Sequence, residues 1–292
     1  MAAAESAAMT AFDLHLHRWG DASAPPLLML HGFPEYGAAW AEVAARLPGW
    51  HCVAPDQRGY GQSPAPADVA AYAIKALVGD IVALIERLGA PLPVVAHDWG
   101  AAVAYALAIR RPDLVSALVV INGVHPGPFQ RELARGGAQS EASAYIDFLR
   151  DPGAEARLSA GDFAGLRRLF AAKMDMGWLT GPTLDAYLGE WSRPGVLTGM
   201  LNWYQATPLR VARPGAPLDI PELPVAAGLV PVPHLVIWAE DDQALLPVCL
   251  QGLDAYCPDL TIQRLSGADH WVCHQKPAEV AALIDAFLAA RA

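Results

Sequence analysis

Several residue patterns that other classes of protein require are missing from this sequence. Its 292 residues include four cysteines, none of which forms a CxxC pair, so neither a zinc site nor a disulfide framework is indicated. Acidic residues outnumber basic ones, the formal net charge is -10 and no stripe of Lys and Arg occurs, which argues against nucleic acid as a partner. No apolar run reaches membrane-spanning length. We therefore expect no metal, no nucleic acid and no membrane contact.

Short runs rich in Leu, Val and Ile recur along the chain, with helical patterns between most of them. These runs are residues 27–30, 52–54, 93–97, 117–121, 234–239 and 260–265. The clearest helical pattern covers residues 72–89, where apolar side chains recur every three or four positions and Gly89 supplies the stop. Strands that are apolar throughout and alternate with helices are typical of a parallel sheet covered on both faces. The sequence predicts a doubly wound α/β fold.

The alternation is interrupted once, from about residue 125 to about residue 205, by helical segments rich in aromatic residues. A tract with seven prolines between Pro208 and Pro233 follows, and it favours an extended return to the core. We predict a core at 1–127, a helical cap with its Pro-rich return at 128–225 and the rest of the core at 226–292. Residues 1–20 show no export signal, so a cytoplasmic location is the expectation.

Asp98 occupies the position where hydrolases of this layout carry their nucleophile. It directly follows an apolar strand pattern, and the small residues Ala96 and Gly100 flank it at the spacing that a tight strand-to-helix turn requires. A serine that attacks a saturated carbon would form an inert ether, whereas an aspartate forms an ester that water can cleave. The carboxylate is ionised at neutral pH and needs no base to activate it. Asp98 therefore suits displacement at a saturated carbon.

Three further segments supply the groups that cleavage of such an ester needs. The backbone N–H groups of Phe33 and Trp99 are placed to form an oxyanion hole. An acid that follows a late strand, Asp241 or Asp242, precedes a histidine, and His270 is favoured over His274 for that role. This order of nucleophile, acid and histidine is the one expected of the fold.

With these residues identified, the chain resembles the soluble epoxide hydrolases of the α/β-hydrolase superfamily over nearly its whole length. The resemblance implies Asp98 as the nucleophile, Asp242 and His270 as the pair that activates water, and a cis peptide bond before Pro34. The motifs that carry it are HGFPE (31–35), DQRGYGQS (56–63), HDWG (97–100), LNWYQA (201–206), AEDD (239–242) and DHW (269–271).

The same family uses two tyrosines of its cap, and this chain has a candidate for each. Tyr204 lies in LNWYQA, and Tyr145 has the family's spacing to a downstream Pro-Gly pair. Ring opening creates an alkoxide, so phenolic O–H groups over the ring oxygen would stabilise the charge and deliver a proton. The implied substrates are a small apolar epoxide and water, without a cofactor. The residues expected around the substrate are His31, Pro34, Trp99, Phe148 and Trp203.

Three other functions are consistent with parts of this pattern. Haloalkane dehalogenases share the Asp nucleophile, but they usually have Asn where this chain has Phe33, and they can place their acid at the position of Asn122. Fluoroacetate dehalogenases follow the nucleophile with Arg, where this chain has Trp99. A non-catalytic ligand receptor on the same fold is the alternative from another class, although such proteins usually lose a catalytic residue and none is missing here.

Overall fold

A seven-stranded sheet forms the centre of the molecule. The computed structural model describes residues 12–291, so the start of the segment in which we expect no export signal lies outside the described residues. The strand order is β1-β3-β2-β4-β5-β6-β7, with β1 antiparallel to β3 and every other neighbouring pair parallel. The strands are β1 Leu16–Trp19, β2 Pro26–Leu30, β3 His51–Pro55, β4 Leu92–His97, β5 Val115–Ile121, β6 His234–Ala239 and β7 Leu260–Leu265.

The six predicted strands are β2 to β7, and the predicted helix 72–89 is α2, Ile74–Leu88. β4 and β6 are buried at every residue, which explains why they show no polar alternation. β1 is an edge strand with the sequence LHRW, and its mixed polar composition gave no apolar run to detect. The prediction of a mostly parallel α/β sheet is confirmed.

Helices cover the two faces of the sheet and bury separate apolar clusters. Leu77 in helix 74–88 and Leu107 in helix 99–110 belong to the cluster on one face. Val43 in helix 41–44 and Ile284 in helix 277–289 belong to the cluster on the other. No helix within residues 12–291 is both long and apolar enough to span a membrane. The helices of the core are α1 Ala41–Ala44, α2 Ile74–Leu88, α3 Trp99–Arg110, α11 Val272–Gln275 and α12 Pro277–Ala289.

A helical insertion lies between β5 and β6, as the sequence predicts. Its apolar side chains join the cluster that contains α2 and α3, so it packs over that face. Residues 207–224 return without regular helix or strand apart from one isolated bridge. Domain limits at 128 and 225 stay predictions. The helices are α4 Pro126–Ala134, α5 Ala138–Ala142, α6 Tyr145–Arg150, α7 Ala154–Ala171 (irregular at 160–163), α8 Gly181–Trp191, α9 Val196–Ala206 and α10 Val225–Gly228.

Candidate active site

Asp98 lies on a strained turn between β4 and α3. Its backbone has φ 48° and ψ -119°, a conformation that L residues adopt rarely and that exposes the side chain at the strand end. A Cβ on Gly100 would lie 2.3 Å from the carbonyl oxygen of Leu30, and one on Gly32 would lie 2.4 Å from the Cβ of Asp98. Close packing around the carboxylate therefore requires glycine at both Gly32 and Gly100.

The Asp98 carboxylate is held between the loop after β2 and the loop after β7. The backbone N–H of Phe33 donates to Oδ1 at 2.8 Å, and Nε2 of His270 lies 3.6 Å from Oδ2. The peptide bond between Phe33 and Pro34 is cis, as the family resemblance implies. Trp99 is the first residue of α3, so its N–H has no partner within the helix. Its role as second oxyanion donor stays a prediction.

His270 lies between the partly exposed carboxylate of Asp98 and the buried carboxylate of Asp242. Its Nδ1 hydrogen-bonds Oδ2 of Asp242 at 2.8 Å, whereas Asp241 is exposed, so Asp242 is the acid that contacts the imidazole. The backbone N–H groups of Ala244 and Leu245 donate to Oδ1 of Asp242. These bonds fix the carboxylate and leave Oδ2 facing His270.

Asn122 is a member of this group that sequence reasoning did not assign to it. Its Nδ2 donates to Oδ2 of Asp242 at 2.7 Å, and its Oδ1 accepts from the N–H of Ala239 at 2.8 Å. Asn122 follows the last residue of β5 and has φ 35°. β5 pairs with β6, and the loop after β6 carries Asp242. The asparagine thus orients the acid rather than supplying one.

The charges of the three groups support one another. Burial would raise the pKa of Asp98, but the hydrogen bond and charge of His270, together with His97 and the Phe33 N–H, hold that pKa below its ordinary value. Burial would lower the pKa of His270, but Asp242 and Asp98 raise it well above its ordinary value. Asp242 likewise has a lowered pKa because His270 outweighs burial. The arrangement favours a protonated imidazole between two carboxylates.

Tyr145 and Tyr204 bring two phenols from the cap to Asp98. Tyr145 is the first residue of α6, Tyr204 lies in α9, and their ring centroids are 6.3 Å apart. Both line the two cavities that Asp98 also lines. Burial, with a further contribution from the Asp98 charge, raises the pKa of each phenol above its ordinary value. Both hydroxyls therefore remain protonated donors at neutral pH.

The two cavities that meet at these residues differ in size. The smaller one, of about 160 Å³, contains His270 and Phe33 in its lining, and the larger one, of about 450 Å³, contains Trp99 and Trp203. Their linings are mostly apolar, and the larger volume is in the range of small-molecule sites. The arrangement suits an apolar molecule whose reacting centre lies at Asp98.

Three of the expected substrate contacts are not among the residues that line these cavities. His31 is fully buried, where Nδ1 donates to the carbonyl of Gly32 and Nε2 accepts from the N–H of Gln57. The carbonyl of Pro34 accepts from the indole of Trp191 in the cap. These two residues shape the loop that carries Phe33.

Phe148 is also absent from the linings of these two cavities, and its contact with substrate stays a prediction. Its ring lies beneath the guanidinium of Arg157, 4.9 Å from the ring centroid. Phe148 follows Tyr145 by three residues in α6, close enough for the two to share a helix face. The residues that this helix buries are Ile146 and Leu149.

A second polar cluster, Glu35 with its partners, lies next to the histidine and was also missed from sequence. The buried carboxylate of Glu35 contacts His274 at 2.5 Å, His97 at 3.2 Å and the hydroxyl of Tyr187 at 3.2 Å. Nε2 of His97 lies 2.9 Å from the carbonyl oxygen of His270. Burial would raise the pKa of Glu35, but the two histidines lower it. Through His97, this cluster holds the backbone carbonyl of His270 in place.

One group of possible metal ligands occurs in the described part of the chain, and it contains none of the candidate site residues. It consists of His15, His17 and Asp56. The Asp56 carboxylate already contacts His17 and accepts from the N–H groups of Gly37 and Gln62. Its hydrogen bonds join β1 to the loops after β2 and β3.

The mostly parallel sheet, the strained turn at Asp98 and the helical insertion define a member of the α/β hydrolase class. Comparison with known proteins agrees. The family model of the α/β hydrolase fold matches residues 25–159. The AB hydrolase superfamily protein YfhM of Bacillus subtilis (strain 168) is 33% identical over 94% of each chain. Epoxide hydrolase 4 of Mus musculus is 32% identical over 92% of this chain and 74% of its own.

Solved structures narrow the assignment. The epoxide hydrolase of Bacillus megaterium, solved in complex with an inhibitor, has a TM-score of 0.83 and 32% identity, covering 95% of this chain and 97% of its own. The chain belongs to the epoxide hydrolase family of the α/β hydrolase superfamily.

Proposed function

We propose that this protein hydrolyses an apolar epoxide to a vicinal diol through an ester between substrate and Asp98. The observation that carries the proposal is the pair of cap tyrosines, Tyr145 and Tyr204, which share both cavities with the Asp98 carboxylate. A nucleophile opposite two protonated phenols matches a reaction in which one bond to carbon forms while a neighbouring oxygen becomes negative.

The first step is ring opening. An oxygen of Asp98 attacks one ring carbon, the carbon–oxygen bond of the ring breaks, and the electron pair moves to the departing oxygen. Tyr145 and Tyr204 hydrogen-bond that oxygen and one of them transfers a proton to it. The result is a hydroxyalkyl ester of Asp98 and a phenolate, which regains its proton from the protonated imidazole of His270 before the second step. Substrate held between carboxylate and phenols supplies the orientation that this displacement requires.

The second step is hydrolysis of the ester. His270 takes a proton from water, the hydroxide adds to the ester carbonyl of Asp98, and the oxyanion is stabilised by the N–H groups of Phe33 and Trp99. When this intermediate collapses, the alkyl oxygen leaves with the proton that His270 took from water, and the diol is released. The Asp98 carboxyl group then gives its own proton to His270, which restores the carboxylate and the protonated imidazole. One water is consumed, and no cofactor or metal takes part.

Charge coupling explains how His270 becomes a base for the second step. In the free enzyme the Asp98 charge helps to raise the pKa of His270. Esterification makes Asp98 neutral, so this contribution disappears and the pKa of His270 falls, while the charge and hydrogen bond of Asp242 continue to raise it. The imidazole gives its proton to the phenolate and is then the base for the second step.

Known relatives support the reaction class. A variant of the Bacillus megaterium epoxide hydrolase, 32% identical to this chain, was solved with its product, a naphthyloxy propanediol. A vicinal diol with an apolar aromatic arm is the type of product that two apolar cavities beside Asp98 suit.

Two observations disfavour the dehalogenase alternatives. Asn122 donates its amide to Asp242, so the end of β5 supports the acid and does not provide it. The residue after the nucleophile is Trp99, whose ring packs against Trp203 and Tyr204, so no guanidinium is present there to hold a small carboxylate.

Purified protein given styrene oxide, a chloroalkane, fluoroacetate and a p-nitrophenyl ester should form diol from the first. Halide release without any diol would instead identify a dehalogenase, and tight binding without turnover a receptor.

Intact-mass measurement of two variants tests the mechanism. His270→Gln should accumulate protein whose mass is increased by that of the epoxide, because the ester forms but water is not activated. Asp98→Ala should show no increase, and it serves as the control for modification elsewhere. A His270→Gln enzyme that turns over at the wild-type rate would contradict the role given to this histidine.

A further inference from the structure

Two histidines and an aspartate meet at the edge of the sheet, apart from the cavities at Asp98. His15 directly precedes β1 and His17 lies in it, so their side chains, two residues apart, lie on one face of the strand. The backbone N–H of Asp56 donates to the carbonyl of His15 at 2.9 Å, which continues the antiparallel pairing of β1 with β3. Residues that are opposite in such a pair share a face. The fold therefore places three metal-binding side chains together.

The ligand atoms of these three residues are close enough to bind one ion. A ring nitrogen from each histidine and an oxygen of Asp56 all lie within 4.8 Å of one another. Nε2 of His17 lies 2.9 Å from Oδ1 of Asp56, so the longest separation involves His15. Zinc bonds of about 2.1 Å place tetrahedral ligand atoms about 3.4 Å apart. His15 is partly exposed, so a small movement of its ring closes the site.

The carboxylate of Asp56 is fixed in orientation but lacks a permanent cation. Its side chain is fully buried, and in the described part of the chain its one ion-pair partner is His17. The N–H of Gly37 donates to Oδ1 and the N–H of Gln62 donates to Oδ2, at 2.8 and 2.9 Å. Donors on both oxygens favour the ionised form. A buried carboxylate needs a paired cation, and His17 supplies a charge only when it is protonated.

The two histidines are accessible from solvent. The side chain of His17 is 19% exposed, and its ring stacks on Trp19 and contacts the edge of Tyr36, which hold it in place. Nε2 of the exposed Gln62 side chain lies 3.2 Å from Nε2 of His15. An amide nitrogen only donates, so this nitrogen of His15 carries a lone pair. An ion therefore reaches the ligands without opening the core.

We propose that His15, His17 and Asp56 bind a divalent late transition metal, with zinc as the representative ion, at a site separate from the reaction at Asp98. Two imidazoles and one carboxylate suit zinc, copper or nickel, whereas magnesium and calcium prefer oxygen ligands. The ion replaces the Nε2 proton of His17 in its contact with Asp56, and water completes the coordination. The expectation of no metal site came from cysteine spacing, and this set of ligands contains no cysteine.

The Glu35 cluster is the internal rival, because it also combines a carboxylate with two histidines. Among the described residues, however, only His15, His17 and Asp56 bring three ligand atoms within 4.8 Å of one another. In the Glu35 cluster, Nε2 of His97 is already hydrogen-bonded to a backbone carbonyl. All four cysteines are buried, so they do not compete for the ion. We therefore expect one bound ion for each chain.

Calorimetric titration of the untagged, chelator-treated protein with zinc chloride tests the site. The wild type should bind one equivalent, and its Tm should rise with the concentration of free zinc. His15→Asn and His17→Asn should each weaken binding by about tenfold or more, since loss of an outer-shell partner alone costs about that much. His51→Asn is the matched control, because His51 is a partly exposed histidine of β3 outside the cluster. It should bind zinc as the wild type does.

Copper(II) in place of zinc identifies the ligands directly. The electron paramagnetic resonance spectrum of the wild type should show coupling to two imidazole nitrogens, and that of His15→Asn or His17→Asn to one. A wild type that binds neither ion would overturn the site. Binding that survives both substitutions, or that His51→Asn weakens equally, would also overturn it.

The metal site and the proposed function fail independently of each other. Neither His15 nor His17 lines a cavity at Asp98, so both variants should form diol from styrene oxide at the wild-type rate, with or without zinc. A rate of diol formation that requires zinc would contradict the separation of the site from the reaction. Absence of zinc binding, with diol formation intact, would remove the metal site alone.

Discussion

At the scale of single residues, the structure separates side chains that line the cavities from side chains that hold the surrounding loops in place. Asp98, His270, Tyr145 and Tyr204 face the cavities or one another. Other polar groups of the same motifs are buried and fully hydrogen-bonded, as His31 is, and they act on the shape of the loops. A motif read from sequence names both kinds of residue together, and only the geometry tells them apart.

Tyr204→Phe should slow ring opening more than ester hydrolysis. The phenol is needed where the ring oxygen becomes negative, and a positioned acid typically contributes a factor of about 100 or more. The measurement is the single-turnover rate of ester formation compared with the rate of its decay. Tyr256→Phe is the matched control, since its hydroxyl donates to the carbonyl of Leu223 and it lines neither cavity. Equal slowing of both rates in Tyr204→Phe would argue against a role in proton delivery.

Asn122→Ala should weaken the support of Asp242 and with it the second step. The change leaves a buried carboxylate oxygen with one hydrogen bond fewer, a loss of about 1 to 3 kcal/mol. We expect a larger steady-state fraction of the covalent adduct, measured by intact mass, while the rate of ring opening is nearly unchanged. Asn122→Asp would add a second carboxylate beside Asp242 and should impair the enzyme more. An Asn122→Ala enzyme with wild-type ester decay would show that the asparagine is not needed for orientation.

At the scale of secondary-structure elements, the cap is attached to the core by aromatic and buried polar contacts. The ring of His274 in α11 stacks on Trp178, between α7 and α8, with centroids 3.8 Å apart and planes 2° from parallel, while its Nε2 contacts Glu35. The indole of Trp203 in α9 donates to the carbonyl of Arg58 at 2.9 Å. These contacts join segments that are distant in sequence, so they determine how closely the cap covers Asp98.

His274→Gln should loosen the cap at α8. The variant loses the stacked ring and one of the groups that neutralise the buried Glu35 carboxylate, so local opening of the cap becomes easier. Hydrogen exchange of α8 amides should increase several-fold, with KM rising more than kcat falls. His51→Gln, a change in β3 away from the cap contacts, controls for general loss of stability. Unchanged protection of α8 in His274→Gln would show that this contact does not hold the cap.

At the scale of the whole molecule, stability should fall between about pH 6.5 and pH 4. Burial lowers the pKa of both His125 and His234 to about 4, below the value of about 6.5 in an unfolded chain. In this window the unfolded state binds more protons at these two histidines, so the stability that they contribute is present above pH 6.5 and is lost as pH falls toward 4. Each histidine contributes about 3 kcal/mol by this difference.

Urea unfolding at pH 7 and at pH 4.5 measures this loss. His125→Asn and His234→Asn should each reduce the dependence on pH, even if they lower stability at pH 7. Asp98 and Asp242 have lowered pKa values, so the stability that they contribute is lost below this window. The two effects therefore separate. A pH dependence that is identical in both variants and the wild type would contradict the buried neutral state of these histidines.

The sequence was sufficient for features that depend on local pattern. Buried parallel strands produce unbroken apolar runs, and a tight strand-to-helix turn requires small residues on each side of Asp98. The strands and the turn could therefore both be predicted. β1 could not, because an edge strand of four residues with mixed polarity has no distinctive pattern. The partnership of Asn122 with Asp242 and of Glu35 with His274 joins positions that are far apart in the chain, and no spacing rule indicates such contacts.

The central claim is that an oxygen of Asp98 becomes bonded to the substrate. A single turnover with excess enzyme in heavy-oxygen water tests it directly, with mass analysis of the diol and of the peptide that contains Asp98. The account predicts an unlabelled diol and one heavy oxygen in the Asp98 carboxylate, because water attacks the carbonyl carbon of the ester. A diol that carries the heavy oxygen after its first turnover, with an unlabelled Asp98, would contradict it.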